Sequence, residues 1–299
     1  MDIQNNKIKK VAIIGCGAIF QYVYPAIHDN SGYTIVGLCD TNSEKLKPFL
    51  SKYPTYTSYR VMANKISKDT TIIILVSHIV RKDILKFFLE KNFKIICEKP
   101  LFWKNKQLEV FEGTNPSWPT VIYHRLFNDR LPMIRQLIKN NRQNIMRIKI
   151  VYVEDISIQT EGHEYEVTQD TDGGGCINDN FPNCVSILLF LLGIKVKLIS
   201  IKKSTKKGIT MKAEIEVQVD DIPCVILLDW GSKFDEKSVS VETQNAKFFY
   251  DLQYGYFPAK SSLYHEYENF FLSWNLDTDE SREVTILVTQ LLGLINSNI

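Results

Sequence analysis

Lys10-Val11-Ala12-Ile13-Ile14-Gly15-Cys16-Gly17-Ala18-Ile19-Phe20 is the stretch on which the fold turns. A short β-rich apolar run stops at Gly15, and a helical pattern takes over at residues 19–28. A strand, a tight glycine turn and a helix in that order have a chemical use. Gly15 permits the turn, and Gly17 lets the backbone approach a pyrophosphate resting on the N–H groups and positive dipole end of the helix. The third glycine of the usual fingerprint is missing, because Phe20 stands there. Its ring must loosen the helix–strand approach or be displaced outward. Asp40 closes the next apolar run, 40 − 17 = 23 residues after Gly17. A carboxylate there accepts both ribose hydroxyls and repels a 2′-phosphate, which favours NAD over NADP. Lys45 and Lys47 lie near enough in sequence to keep NADP open. The plainer alternative is a strand–turn–helix with no ligand.

Outward from this turn the chain alternates. Apolar runs at 33–39, 71–76, 93–97 and 120–123 read as strands, and 43–50 and 80–91 read as helices. Strands apolar on both faces and separated by helices predict a doubly wound parallel sheet (α/β, Rossmann type) over about residues 7 to 120. The pattern then changes. After a helix at 131–139, period-two alternation marks strands at 145–158, 209–219, 224–230, 238–242 and 246–252. This predicts an α+β domain with an open, mainly antiparallel sheet and helices at 183–192 and 283–295. The expected division is a dinucleotide-binding domain at 1–121 and a substrate-binding and oligomerisation domain at 122–299. The last helix is free to pack back on the first domain. The polar stretch 157–175 is too long for a turn and reads as mobile or as a site loop.

Composition narrows the class. The 299 residues carry 36 Lys and Arg against 34 Asp and Glu, a net charge of +2, so neither nucleic acid nor membrane is an expected partner. Six cysteines without a CxxC pair read as reduced, mostly buried thiols, which suits a cytoplasmic location. The first residues lack the apolar stretch of a secretory signal, and the apolar run 185–193 is short for a bilayer. No histidine and carboxylate cluster has metal spacing, so no metal is expected. Tyr152, Ile215, Val217 and Leu227 lie in alternating runs and suggest an apolar sheet face. The expectation is a homodimer, or a higher homo-oligomer, formed through that sheet.

Glu98-Lys99-Pro100 ends the strand at 93–97. In a parallel sheet that edge faces the ligand crevice, and Pro100 forces the chain to turn. A lysine held there can bind a hydroxyl or carbonyl oxygen and move its proton, with Glu98 orienting it or touching cofactor. Alternatively the charges are merely solvated. Ser77 and His78 follow the strand at 71–76 on the same edge, where His78, like His28, can equally be packing.

These segments together resemble the Gfo/Idh/MocA family of NAD(P)-dependent oxidoreductases. The resemblance rests on Val11 through Gly17, on Val36-Gly37-Leu38-Cys39-Asp40, and on Cys97-Glu98-Lys99-Pro100. It continues through Val121 to Phe127, Gly173 to Asp179, and the pattern at 264–271, so it covers nearly the whole chain. It implies a small polar substrate, a sugar or nucleotide-sugar first, with the nicotinamide between the two domains. The implied cofactor residues are Gly15, Gly17, Ala18, Ile19, Phe20, Asp40, Ser77, His78, Glu98 and Lys99. The implied catalytic set is Lys99, Asp179, Asn183 and His124.

One departure matters. The family pattern puts a histidine four residues after the aspartate, but here Asp179 is followed by Asn183, and Phe181 replaces a glycine. Asparagine is no general base near neutrality. The proton must then pass through Lys99, with Asp179 as partner, or through His124, His163 or Tyr165. Reduction of a C=N or C=C bond in a non-sugar substrate is an alternative, and a non-catalytic nucleotide-binding sensor or assembly protein is another. Asp179 or Asn180 is expected to cap a helix in whose first turn Pro182 sits.

Overall fold

The computed structural model describes residues 8–111, 118–159, 174–253, 261–273 and 279–297. The chain forms two compact units, each described by itself. One comprises residues 1–98, 109–122 and 267–278, and the other residues 99–108, 123–266 and 279–299.

The first unit contains β1 (Lys9–Ile14), α1 (Phe20–His28), β2 (Tyr33–Cys39), β3 (Thr55–Tyr56), α2 (Tyr59–Ala63), β4 (Thr71–Ile74), α3 (His78–Glu90), β5 (Lys94–Glu98) and β6 (Thr120–Ile122). All six strands are parallel, in the order β3-β2-β1-β4-β5-β6. The order reverses between β1 and β4, which is the switch point where doubly wound sheets bind ligands. Val11, Ala12, Ile13, Ile72, Ile73, Ile74 and Ile96 are fully buried, as strands covered on both faces require. The segment at 43–49 is a 3-10 helix capped by the Asn42 side chain. The short β3 and α2 gave no periodic signal in the sequence.

The second unit contains α4 (Leu131–Asn141), β7 (Ile145–Asp155), α5 (Ile156–Gln159), α6 (Gly175–Leu192), β8 (Val196–Lys206), β9 (Ile209–Val219), β10 (Ile222–Asp229), β11 (Gly231–Thr243) and β12 (Lys247–Asp251). Helix α7 (Ser262–Ser273) begins in this unit and continues into the first, and α8 (Asp279–Ser297) falls in the second. There Asn296 Nδ2 donates to the Trp103 carbonyl at 3.1 Å and to Asn178 Oδ1 at 2.9 Å. The sheet order is β12-β11-β7-β10-β9-β8, and every neighbouring pair is antiparallel except β7 and β10. The mainly antiparallel expectation therefore holds, with one parallel pair. Strand β8 was missed in the sequence because it is a lysine-rich edge strand whose register slips between Leu198 and Ser200, which breaks the alternation.

Three sequence expectations need correction. Helix α6 begins at Gly175 rather than 183, so Asp179 and Asn180 are not caps and Pro182 lies inside the helix. At its start Gly175 takes a φ of +82°, which enters the helix from the left-handed region, and the Asn178 side chain donates to the Gly174 carbonyl at 2.8 Å. The alternating set also splits. Strand pairing puts Ile215, Val217 and Tyr152 on one face, all buried, while half-buried Leu227 lies on the other. The third concerns length. Helix α6 is long and apolar enough to cross a bilayer, but 89% of it is buried in protein, as a core helix should be.

Gly15 sits at the switch point with φ +98°. Its N–H donates to the Cys39 carbonyl at 2.8 Å, and a Cβ there would lie 3.0 Å from the backbone of both Leu75 and Val76. A Cβ on Gly17 would meet only the Lys45 ammonium, at 3.9 Å. Gly15→Ala should therefore cost roughly 1–3 kcal/mol of stability. Gly17→Ala should cost no more than about 0.5 kcal/mol. Urea unfolding of the two variants checks the contrast, and equal losses would refute it.

Candidate functional site

The glycine turn is built to receive an anion. Among the described residues the N–H groups of Ala18 and Ile19 have no protein partner, while Phe20 N–H bonds back to the Gly17 carbonyl at 3.1 Å. The space beside Gly17 is open apart from the Lys45 side chain. Orphan donors at a helix start beside open space fit a dinucleotide pyrophosphate. Phe20 is buried among Tyr24, at 5.3 Å between ring centres, and Phe49, at 5.4 Å.

Asp40 is tied to this turn. One carboxylate oxygen accepts the Cys16 N–H at 2.8 Å and the other accepts the Asn42 N–H at 2.9 Å. A carboxylate has about four acceptor positions, so capacity remains for ribose hydroxyls. Burial pushes the Cys16 and Cys39 thiols up to about 12, so both stay protonated. All six cysteines are free and buried.

At the neighbouring strand ends, Arg81 of α3 donates to the Glu98 carbonyl at 2.7 Å and to the Val76 carbonyl at 2.8 Å. It thereby braces the edge where β4 and β5 stop. The Glu98 carboxylate accepts the Tyr267 hydroxyl at 2.5 Å, a partner the sequence did not suggest. Ser77 caps α3 through the Ile79 N–H, and His78 is buried in the first turn of that helix.

The second unit gathers the remaining candidates. Lys99 Nζ lies 2.6 Å from Asp179 Oδ1 and 3.0 Å from the Asp179 carbonyl. Asn183 is four residues after Asp179 on α6, so both lie on one helix face. His124 is not solvated: its Nδ1 is 2.7 Å from Glu266 Oε2. Glu266 also accepts from Arg125 at 2.8 Å and from Asn128 at 2.7 Å, and it is completely buried. Tyr152 accepts both Arg125 Nε, at 3.2 Å, and Nη2, at 2.8 Å. Glu154 accepts from Asn180 at 2.8 Å and pairs with Lys237 at 3.0 Å. Of the sequence candidates, Lys99 and Asp179 are in direct contact and Asn183 and His124 lie in the same unit; Arg125, Tyr152, Glu154, Lys237 and Glu266, which bond to or around them, were not named as site residues from the sequence. His163, Tyr165 and Gly173 lie outside the described residues. Among the described residues no cluster of metal ligands occurs.

Burial pushes His124 down to about 4, the Glu266 hydrogen bond opposing but not winning. Burial works against ionised Glu266 too, but Arg125 and the hydrogen bonds prevail and hold it below the ordinary carboxylate range. His124 is therefore neutral at pH 7 and is no proton reservoir. The folded pKa lies below the unfolded one, so its contribution to stability is present above pH 6.5 and is lost as pH falls towards 4. The slope from this one group is at most about 1.4 kcal/mol per pH unit. His124→Gln should flatten unfolding free energy between pH 6.5 and 5. Identical pH slopes for the two proteins would mean the imidazole titrates freely.

Residues 9–110 match the Gfo/Idh/MocA family, an oxidoreductase family with an NAD-binding Rossmann fold. No curated protein matches the chain significantly in sequence. Solved structures are similar across both units. GenD2 from gentamicin A biosynthesis, in complex with NAD, is 10% identical with a TM-score of 0.79, over 98% of this chain and 95% of that one. The WlbA dehydrogenase from Bordetella pertussis, with NADH and UDP-GlcNAcA, is 13% identical with a TM-score of 0.77, over 97% and 95%. A myo-inositol dehydrogenase from Corynebacterium glutamicum is 11% identical with a TM-score of 0.73, over 97% and 96%. At such identities the likeness is one of fold. With the glycine turn, Asp40 and the strand order in place, the chain carries the NAD(P)-binding oxidoreductase fold of the Gfo/Idh/MocA family.

Proposed function

We propose that this NAD(P)-dependent oxidoreductase moves hydride to or from a hydroxyl-bearing or keto carbon of a sugar or nucleotide-sugar. In this reading residues 1–121 bind the dinucleotide, NAD in preference to NADP, and 122–299 bind the substrate. The carrying observation is the Lys99–Asp179 pair, 2.6 Å apart, directly after the strand whose end Arg81 braces. Bound nicotinamide supplies the hydride donor or acceptor. Gly17, Ala18 and Ile19 would hold its pyrophosphate, and Asp40 its adenosine ribose. Asp179 fixes the Lys99 ammonium through a carbonyl and a carboxylate oxygen. An ammonium so fixed orients a substrate oxygen and gives or takes its proton. The two buried cations Arg125 and Lys237 and the partly buried Lys99 are each paired with a carboxylate. That balance suits an uncharged polyol or keto group at the reacting end. Two of the similar structures, a myo-inositol dehydrogenase and a dehydrogenase in complex with UDP-GlcNAcA, support a sugar-like substrate.

A second reading is supported by Asn183: reduction of a C=N or C=C bond, for which a histidine base is dispensable. Initial-rate assays with NAD(P)(H) against polyols, UDP-sugars and cyclic imines separate the two. Lys99→Ala should lower kcat about 10²–10⁴-fold while cofactor affinity stays within about twofold. Undiminished turnover in Lys99→Ala would overturn the role of Lys99. Failure of both nucleotides to bind below about millimolar, by fluorescence titration, would overturn the oxidoreductase reading.

Assembly belongs to the same reading. The outer sheet face carries half-buried Val225 and Leu227 and the 60% exposed Phe249, which suit a second copy of the chain. Sedimentation at micromolar concentration should show a dimer or higher oligomer, and a monomer would reject it.

A further inference from the structure

We infer that Tyr152 is a positioning residue acting through Asn183: locked by Arg125, it turns the asparagine amide so that its NH₂ group is presented to the reacting oxygen of the substrate. The inference rests on the oxidoreductase reading for the substrate and on the geometry below for the amide.

Asn183 is 1% exposed, and its Oδ1 has no hydrogen-bond partner among the described residues. An orphaned buried carbonyl is uncommon and asks for a cause. Its Nδ2 lies 3.4 Å from the Tyr152 hydroxyl. That hydroxyl already accepts two hydrogen bonds from the Arg125 guanidinium, at 3.2 and 2.8 Å. Arg125 has no freedom to leave, because Glu266 holds its other nitrogen at 2.8 Å. Burial raises the Tyr152 pKa well above its ordinary value, so the phenol keeps its proton. With two bonds accepted, what the phenol has left is one O–H to donate. An amide nitrogen facing it is a donor set against a donor.

The two ends of an asparagine amide are alike in shape, so the hydrogen-bond network decides which way it points. A half-turn brings Oδ1 to face the Tyr152 O–H and accept from it. This relieves the overloaded phenol and gives the carbonyl a partner, and it moves the demand to the NH₂ group, which needs an acceptor in its turn. The NH₂ group then stands where the orphan stood, one helical turn beyond Asp179 and its Lys99. An NH₂ group there donates to a keto oxygen or an alkoxide but cannot take a proton. Asn183 thus orients the oxygen, and proton movement falls to Lys99.

Neutron diffraction from a deuterium-exchanged crystal of the full chain reads the amide directly. Deuterium on the Asn183 atom away from Tyr152, with the Tyr152 deuteron aimed at Asn183, is expected; the reverse arrangement overturns the inference. The kinetic arm uses whichever polyol or UDP-sugar the assay panel turns over with NAD⁺. Tyr152→Phe should lower kcat about tenfold with KM for NAD⁺ unchanged, yet less than twofold in an Asn183→Ala background. Additive losses would show that Tyr152 does not act through Asn183. If no panel member is turned over, the oxidoreductase reading suffers, while the neutron arm still decides the amide.

Discussion

A charge taken out of water is tolerable only beside its opposite, and the second unit meets that demand twice. Arg125 is matched by Glu266 and Lys237 by Glu154, while Lys99 and Asp179, 11% and 36% exposed, form a third, partly exposed pair. Removing one partner of such a pair leaves an uncompensated buried charge, which costs about 3–5 kcal/mol. The pairing therefore constrains everything around it. Glu266 gathers His124, Arg125 and Asn128, Arg125 then holds Tyr152, and Glu154 holds Asn180. Each polar side chain in the first turns of α6 is thus held from elsewhere in the unit: Asn178 by Asn296, Asp179 by Lys99, Asn180 by Glu154 and Asn183 by Tyr152. A rigid polar bed of this kind is what an enzyme needs if substrate is to be oriented without reorganisation.

The first unit obeys a simpler constraint. Its sheet brings β1 and β4 side by side, and the chain must turn sharply where they part. Only a residue without a side chain fits between the Leu75 and Val76 backbone at that point. The same turn frees helix-start N–H groups, and the Asp40 carboxylate ties its loop to them through Cys16. The packing requirement and the anion-binding capacity therefore come from one local geometry. Phe20, where a third glycine is usual, is accommodated because its ring finds Tyr24 and Phe49.

What the sequence disclosed follows from range. The strand at Lys9–Ile14, the glycine turn and Asp40 were legible because their signals are local: periodicity, a turn residue, an acid at a strand end. Strand β9 was read to its bounds because one face is buried and the other wet. Pro182 misled, since proline favours a first turn, but the turns upstream of it are packed in the core, with Cys176, Ile177 and Phe181 buried. The network around Glu266 was not legible, because its members lie up to 142 residues apart. One signal was available: Tyr152 lies within the run Ile150 to Val153 and Glu154 directly follows it, and polar groups carried into the core by such a run demand buried partners.

Helix α6 has a consequence for biosynthesis. It leaves the ribosome complete at Leu192, whereas the strands that pack on it extend to Asp229, 229 − 192 = 37 residues later. At about 5–20 residues per second, its greasy surface waits roughly 2–7 s before the strands that receive it are all made. During that interval the nascent chain is most open to chaperone capture or to sticking to a neighbour, and slowing translation between residues 192 and 229 would lengthen the exposure rather than relieve it.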